Sequence, residues 1–189
     1  MAPVNKTVNY ETVITNISGE QKCWIIQNLG ATHKAANYND DTELAAGWYW
    51  QFNQKQGYKH SGTIRTPNST WNSVINENTD WLSENDPCKN LLGDSWRLPN
   101  YNEMVNISNG WNNWTDPFYS VLKIHAAGTL NLYNGNLSGR STHGGYWVSD
   151  QNSTLRAYQL FFINPPVYIN HDLKASGKSV RCLKSPYEP

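Results

Sequence analysis

Residue types that commonly perform chemistry are present in this chain, but they do not occur at the spacings that catalysis needs. The five histidines, at positions 33, 60, 125, 143 and 171, share no metal-ligand spacing. The sequence contains no Walker loop, dinucleotide fingerprint, serine elbow or His-Glu-x-x-His pattern. Nothing pairs two carboxylates as a glycosidase needs. We therefore expect a protein that is not an enzyme and has no cofactor.

The three cysteines allow at most one disulfide within the chain. A bond between Cys88 and Cys182 would tie the middle of the chain to its late segment. Such a long loop gives a large loop-closure contribution in the entropic model. Three reduced cysteines are the alternative. Cys23 lies in an apolar run and is predicted to be a buried free thiol, and no Cys-x-x-Cys pair supports a zinc or redox site.

The acidic run at residues 39–43, Asn-Asp-Asp-Thr-Glu, has enough oxygens to suggest a calcium site. The favoured interpretation is a helix N-terminus, where carboxylates complement the helix dipole. One or two helical turns are predicted to start at Asp41 and to end at Gly47. The late loops offer mainly Asp150 and Asp172, so no metal is expected.

Composition argues against two classes of partner. Fifteen basic and fifteen acidic residues give a formal net charge of zero, so no basic surface is available for nucleic acid. No apolar run approaches the roughly 18 residues that a membrane span needs. Residues 1–5 lack the apolar centre of a signal peptide, although earlier removal of a signal would leave export open. The richness in Asn, with nine Trp and eleven Tyr, favours a loop-rich fold with an aromatic core.

The elements that must position any site are short. Strands are predicted at residues 23–28 and 48–52, and residues 8–17 form a strand or an irregular arm. Residues 54–95 are polar, but they contain Trp71 and Trp81, so a packed irregular region is expected.

The next helix is predicted to begin at a capping box formed by Asn100 and Glu103, with Met104, Ile107 and Trp111 on its apolar side. Asn134-Gly135 predicts a two-residue hairpin turn after residues 129–133. Three late strands are expected at residues 146–149, 156–163 and 179–183. Early helices and late strands favour an α+β domain with antiparallel sheet. We place it at residues 20–189, after an arm or strand at residues 1–19.

The late part of the chain alternates between two kinds of sequence. Segments that form a rigid frame, such as Gly144-Gly145-Tyr146-Trp147, are separated by gaps at residues 150–156 and 163–174, which have mixed chemistry and no periodicity. A rigid frame with loops free to vary is typical of a recognition surface. In residues 158–163, alternation sends Tyr158, Leu160 and Phe162 to one face and Gln159, Phe161 and Ile163 to the other.

An outward face that carries Phe and Ile is costly unless something covers it. Burial of both faces is one explanation of this pattern, and a contact surface for a partner is the other. The predicted contact residues are Asp150, Asn152, Arg156, Gln159, Phe161, Ile163, Val167, Tyr168, Ile169, His171 and Leu173.

Several motifs occur in an order that resembles a known family. They are Lys22-Cys23-Trp24, Asn28-Leu29-Gly30-Ala31, Asn85-Asp86-Pro87-Cys88, Trp96-Arg97-Leu98-Pro99 with Glu103, Gly145-Tyr146-Trp147-Val148-Ser149 and Ser179-Val180-Arg181-Cys182. The ordered set, from about residue 20 to 184, resembles the Fibrobacter succinogenes major paralogous domain, a branch of the C-type lectin-like fold. The resemblance implies short helices, antiparallel sheets and long irregular loops.

Two relatives of that fold imply different functions. Calcium-dependent lectins use Glu-Pro-Asn or Gln-Pro-Asp with Trp-Asn-Asp, whereas this chain has Asn164-Pro165-Pro166, so calcium-independent binding is expected. The segment Trp96-Arg97-Leu98-Pro99 also resembles formylglycine-generating enzymes. Those enzymes need a close cysteine pair in the active site, and here the late cysteine, Cys182, lies in a frame segment.

Domains of this branch also serve as the variable proteins of diversity-generating retroelements, which rewrite the C-terminal segment of their target. The resemblance thus implies a binding protein displayed on a virion or cell surface, whose partner is a protein or glycan on another cell. A secreted bacterial adhesin or carbohydrate-binding module of fixed specificity is the main alternative, and a relative of the formylglycine-generating enzymes is a distant one. Oligomer formation is left open.

Overall fold

The structure, a computed structural model, describes residues 1–187, so the last two residues of the predicted domain lie outside it. Its helices are α1 Glu43–Ala46, α2 Pro87–Leu92, α3 Tyr101–Ser108 and α4 Asp116–Tyr119. Its strands are β1 Thr12–Thr15, β2 Lys22–Ile25, β3 Tyr49–Trp50, β4 Gly57–Ser61, β5 Ile64–Thr66, β6 Thr129–Leu130, β7 Leu137–Ser138, β8 His143–Gln151, β9 Arg156–Ile163, β10 Val167–Leu173 and β11 Leu183–Lys184. This is the expected α+β class, with antiparallel pairing throughout the sheets.

The first sheet joins the early part of the chain to its late part. Its order is β1-β2-β11, and Trp24 of β2 lies opposite both Val13 and Leu183. Trp24 is fully buried, which makes this pairing part of the hydrophobic core. Of the two structures predicted for residues 8–17, a strand or an irregular arm, the strand is observed at Thr12–Thr15. The residues before it, including Val4 and Tyr10, also pack against buried side chains.

Residues 54–95 are packed, as expected, since Trp71 and Trp81 are both buried. They are more regular than predicted, because they contain β4, β5 and α2. The sequence signal for α2 was local: the Asp86 carboxylate accepts the backbone N–H groups of Cys88 and Lys89, and Pro87 occupies the first turn. Proline fits there because that N–H has no partner within the helix.

The first predicted helix is present, but its start was placed wrongly. Thr42 is the N-cap of α1, and its side chain accepts the N–H of Ala45. Asp41 lies one residue earlier. The end at Gly47 is confirmed, where φ is +71° and a Cβ would lie 2.6 Å from the carbonyl oxygen of Leu29.

The capping box of α3 is confirmed in both directions. Asn100 accepts the N–H of Glu103, and the Glu103 carboxylate accepts the N–H of Asn100. Met104 and Ile107 are fully buried. Trp111 lies beyond the helix end and packs partly buried against the same cluster.

The hairpin around Asn134-Gly135 has a longer loop than predicted. Asn131 donates its N–H to the carbonyl oxygen of Asn136, which leaves residues 132–135 in the loop between β6 and β7. A two-residue type I′ turn needs positive φ at both central positions. Gly135 has a φ of +69°, but Asn134 is not among the positive-φ residues, so the predicted turn type was wrong.

The largest sheet has the order β10-β9-β8 and is built from late residues. The prediction for residues 156–163 is confirmed as β9, and the strand predicted at residues 146–149 is part of the longer β8. The strand predicted at residues 179–183 is mostly wrong. Ser179 forms an isolated bridge with Tyr146, and regular pairing begins only at Leu183.

The gap predicted at residues 163–174 is also not a loop, since seven of its residues form β10. Asn170, His171 and Asp172 interrupt the apolar alternation that would have marked a strand. Backbone pairing along the whole of β9 and side-chain packing on one face compensate for that polarity. The gap therefore reduces to a tight connection at residues 164–166.

Arg181 and Cys182 join segments that are far apart in the sequence. The guanidinium of Arg181 is fully buried and donates to the carbonyl oxygens of Ile25, Leu122 and Lys123 and to the side chain of Asn28. The adjacent Cys182 forms a disulfide with Cys88, with the two Cα atoms 5.5 Å apart. The first of the two alternatives for the cysteines is thus the one observed. Cys23 is free and buried, as predicted.

None of the helices within residues 1–187 is long and apolar enough to cross a bilayer.

Candidate functional site

The two faces of the β8–β9–β10 sheet have different surroundings. Tyr146, Leu160 and Phe162 share a core face and are fully buried in one hydrophobic cluster. This confirms the alternation expected in β9. The opposite face, called here the outer face, carries Gln159, Phe161 and Ile163 of β9 with their neighbours on β8 and β10.

The outer face is itself covered at one end. Trp147 and Ala157 belong to a second buried cluster, which contains Phe52 and Trp81. The ring of Phe52 lies 5.6 Å from that of Trp147 and 5.0 Å from that of Trp81. Both explanations of the outer face therefore hold in part, because burial applies at the Trp147 end and exposure at the Ile163 end.

Three rings from three strands form a row at the exposed end of the outer face. The ring of Phe161 on β9 lies 5.4 Å from that of His143 on β8 and 5.6 Å from that of Tyr168 on β10. All three side chains are partly exposed, and Ile163 beside them is 38% exposed. We call His143, Phe161 and Tyr168 the aromatic row. Rings at these separations and tilts attract one another beyond their area of contact, which gives the row a fixed shape.

A glycine on β8 makes room for Thr129 beside this row. Gly145 lies directly opposite Phe161 in the pairing of β8 with β9. A Cβ at Gly145 would lie only 2.7 Å from Cγ2 of Thr129. The neighbouring Thr129 can approach the sheet because β8 has no side chain at this position.

His143 takes part in the row as a neutral ring. Burial lowers its pKa first, and the nearby Lys178 ammonium lowers it further. Its Nε2 atom lies 3.2 Å from the hydroxyl oxygen of Thr129, which orients the imidazole. At neutral pH the row therefore consists of three uncharged rings.

The charged groups beside the row neutralise each other. The Lys178 ammonium is 2.7 Å from the Asp172 carboxylate and 5.0 Å from the centre of the Trp147 ring. Burial raises the pKa of Asp172, but Lys178 and hydrogen bonds outweigh burial and hold that pKa below its ordinary value. The exposed end of the outer face thus offers aromatic and aliphatic surface next to a charge-balanced pair.

Of the residues predicted to contact a partner, one is buried and two are partly buried against the core cluster. Gln159 is on the outer face, as predicted, but it is only 3% exposed. Val167 and Ile169 lie opposite Phe162 and Leu160, so both pack against the core cluster. Alternation along β10 turns both side chains toward the core, so packing accounts for their apolar character.

The remaining predicted residues lie at the far end of the sheet, away from the aromatic row. The Asp150 carboxylate accepts the N–H of Tyr101, which ties it to the start of α3. The Asn152 side chain donates to the hydroxyl of Tyr158, and the Tyr158 ring is 6.4 Å from that of His171. Arg156 is exposed and lies opposite Leu173 at the end of the β9–β10 pairing.

The gap at residues 150–156, predicted as a loop free to vary, is fastened to a distant part of the chain through its backbone. Glu77 donates its N–H to the carbonyl oxygen of Thr154, and Gln151 donates its N–H to the carboxylate of Asp80. The buried Lys174 ammonium donates to the carbonyl oxygen of Glu77 and the side chain of Gln151. The long connection before α2 therefore fastens this turn, which a local reading of the sequence cannot detect.

Sequence reasoning also missed two members of the site, His143 and Thr129. The signal for His143 was available: extending the predicted strand at residues 146–149 backwards by three positions places His143, Gly145 and Trp147 on one face. Thr129 had no such signal, because a short bridge between Gly128 and Gly144 brings it beside β8.

Within residues 1–187, no group of three or more His, Cys, Asp or Glu side chains lies close enough together to hold a metal ion. The oxygens of the acidic run have structural contacts. The two carboxylate oxygens of Asp40 accept the backbone N–H groups of Ala36 and Thr42, and one of them also accepts the Thr42 hydroxyl.

Comparisons with protein-family models, with curated proteins and with solved structures found no match to this chain.

Proposed function

We propose that the protein is a recognition protein whose binding surface is the aromatic row together with Ile163. Its partner is a protein or glycan on another cell, bound without calcium. The observation that carries the proposal is the row itself, three uncharged and partly exposed rings fixed side by side on a sheet. Aromatic side chains are enriched among the residues that dominate binding energy, because they bury large area and lose little conformational entropy.

The rigidity of the surrounding sheet supports this proposal. The row is supplied by three paired strands, and the core face of those strands is buried. A surface that is already ordered before binding loses little entropy when a partner arrives. The predicted contact residues that remain in the proposed surface are Phe161, Ile163 and Tyr168, with His143 added.

Display outside the cell is supported by the disulfide between Cys88 and Cys182. Disulfides persist in oxidising compartments and are rare in the cytosol. We propose a virion or cell surface as the place of display. The C-type lectin-like fold is likewise a proposal, supported by the pairing of an early with a late strand and by the long connections between short elements.

The proposal includes diversification of the outer-face residues by a retroelement. The hairpin of β9 and β10 supports it, because its outward side chains can change while its backbone pairing and its core face stay the same. Population sequencing of the gene tests this part. We expect nonsynonymous changes to concentrate at the outward positions of residues 161–170. A segment as constant as residues 96–99 would instead leave a fixed-specificity adhesin.

The binding surface is tested by Phe161→Ala. Because Phe161 contacts both other rings of the row, we expect its loss to abolish binding while the fold stays intact. Binding of the labelled protein to a panel of bacterial cells and to a glycan array provides the measurement, and circular dichroism reports the fold.

Two variants act as controls for that experiment. Tyr133→Ala removes an aromatic ring that is exposed elsewhere on the molecule, and it should leave binding unchanged. Ile169→Ala removes core packing and should lower the melting temperature. If Phe161→Ala lowers the melting temperature as much as Ile169→Ala does, Phe161 belongs to the core. The proposed surface is then wrong.

A further inference from the structure

A cleft of about 660 Å³ lies away from the aromatic row, between α2, the segment that leads into α3, and the first sheet. Its volume lies within the range of small-molecule sites, roughly 300 to 1,000 Å³. Trp81 and Trp96 contribute indole rings, Lys22 and Lys89 contribute ammonium groups, and Ser83 contributes a hydroxyl.

The two lysines of the cleft pair with exposed carboxylates, and the Lys89 ammonium also donates to the Ser83 hydroxyl at 3.0 Å. Lys22 pairs with Glu20, whose side chain is 82% exposed, and Lys89 lies 3.7 Å from Asp94, whose side chain is 96% exposed. Ion pairs with solvent-exposed carboxylates contribute little free energy, because water screens them and the side chains lose entropy. An anion that enters the cleft can therefore replace these partners.

Trp81 lines the same cleft and carries a buried donor without a partner. Trp81 is 7% exposed, and no group in the described part of the chain accepts a hydrogen bond from its indole N–H. Buried polar groups usually have a partner, since a donor that has lost its water and gained no acceptor destabilises the fold. A ligand with an acceptor oxygen would satisfy this donor.

The other charged groups of the cleft limit how much negative charge the ligand carries. The Arg97 guanidinium is bound in a bidentate pair by the Glu103 carboxylate, at 2.6 and 2.8 Å. Bidentate arginine is the preferred partner of phosphate, and this one is already engaged. The carboxyl group of Asp86 also lines the cleft, where it accepts the backbone N–H groups of Cys88 and Leu98. These groups favour a single negative charge over a phosphate dianion.

We propose that this cleft binds a small organic ligand through a carboxylate, with Lys22, Lys89 and the Trp81 indole N–H as the donors. The site is separate from the aromatic row and does not depend on the proposed function of that row.

The experiment is a nuclear magnetic resonance titration of the labelled protein with three carboxylates and their neutral counterparts. The pairs are acetate with acetamide, benzoate with benzamide, and D-glucuronate with D-glucose. We expect at least one carboxylate to shift the Trp81 indole N–H signal, identified by its loss in Trp81→Phe, while its neutral counterpart does not. If none of the carboxylates shifts that signal, or if the neutral counterparts shift it equally, the proposal is wrong.

Substitution of the donors tests the assignment of residues. The double variant Lys22→Gln with Lys89→Gln should bind the carboxylate at least roughly tenfold more weakly, since it removes both charged donors. Lys89→Arg keeps the charge and should retain binding. Lys34→Gln removes a lysine from another exposed ion pair, with Glu11, and should change nothing. Equal weakening in Lys34→Gln would reveal nonspecific attraction and overturn the assignment.

Discussion

His125 shows how strongly this core controls the protonation of a single side chain. It is 1% exposed, and neither ring nitrogen has a hydrogen-bond partner among the described residues. Burial lowers its pKa to about 3, and the buried Arg181 guanidinium contributes to that shift. His125 is therefore neutral in the folded protein throughout the mildly acidic range.

This shift predicts a loss of stability in mild acid. In the unfolded chain His125 binds a proton near its ordinary pKa of 6.5, whereas the folded protein does not accept that proton until about pH 3. The unfolded state then binds more protons than the folded state. The contribution of His125 to the free energy of unfolding therefore falls as pH drops below 6.5. The slope for one proton is about 1.4 kcal/mol per pH unit.

The variant His125→Leu removes this titration while keeping an apolar side chain at the position. Urea unfolding between pH 6 and 4 should therefore show a shallower decline of stability than in the original protein. The carboxylates, including Asp172, titrate in both proteins and cancel in the comparison. Equal slopes would mean that His125 is protonated in the folded state.

At the scale of elements, the caps of α3 and α4 provide a matched comparison. The Asn100 side chain accepts the N–H of Glu103 at the start of α3, whereas Thr115 at the start of α4 makes no side-chain capping bond. Asn100→Ala should lower the free energy of unfolding by about 1 kcal/mol, and Thr115→Ala should change it by only a few tenths. Midpoints of urea unfolding measure both. A larger effect at Thr115 would contradict the assignment of the caps.

Helices and strands could be predicted where neighbouring residues alone determine them. They could not be predicted where they depend on pairing with a distant segment. The start of α3 follows from two side chains three residues apart, and β9 follows from its own alternation. β10 has polar residues at Asn170 and Asp172, and its strand character depends on pairing with β9. A loop at this position predicts an exposed Ile169, whereas pairing of β10 with β9 turns Ile169 toward the core cluster.

The candidate site was predictable only in part, for the same physical reason. Phe161 and Tyr168 are partly exposed on the outer face, but the predicted contact residues come from both faces and from both ends of the sheet. Which face is covered depends on distant segments. Trp147 is buried by Phe52, and the turn at Thr154 is held by Glu77. Periodicity within one strand gives the two faces, but it does not give what packs against them.

For the whole molecule, the disulfide closes a loop across a sequence separation of 94 residues. In the chain-entropy model such a loop stabilises the folded state by about 4–5 kcal/mol, because it restricts the unfolded chain. Replacement of Cys88 and Cys182 together by Ala should cost about that much in urea unfolding. Cys23→Ala, at the buried free thiol, should cost no more than about 1 kcal/mol. Similar losses in the two variants would show that packing, rather than loop closure, provides the stabilisation.

The pairing of β2 with β11 determines when the protein can fold during its own synthesis. A chain still attached to the ribosome cannot complete this sheet until Leu183 and Lys184 have left the exit tunnel. Before that moment Trp24 lacks its neighbour, and the carbonyl oxygens of Leu122 and Lys123 still await the Arg181 guanidinium. Until these late residues arrive, the nascent chain leaves apolar strands uncovered, which is the condition under which partly folded chains aggregate.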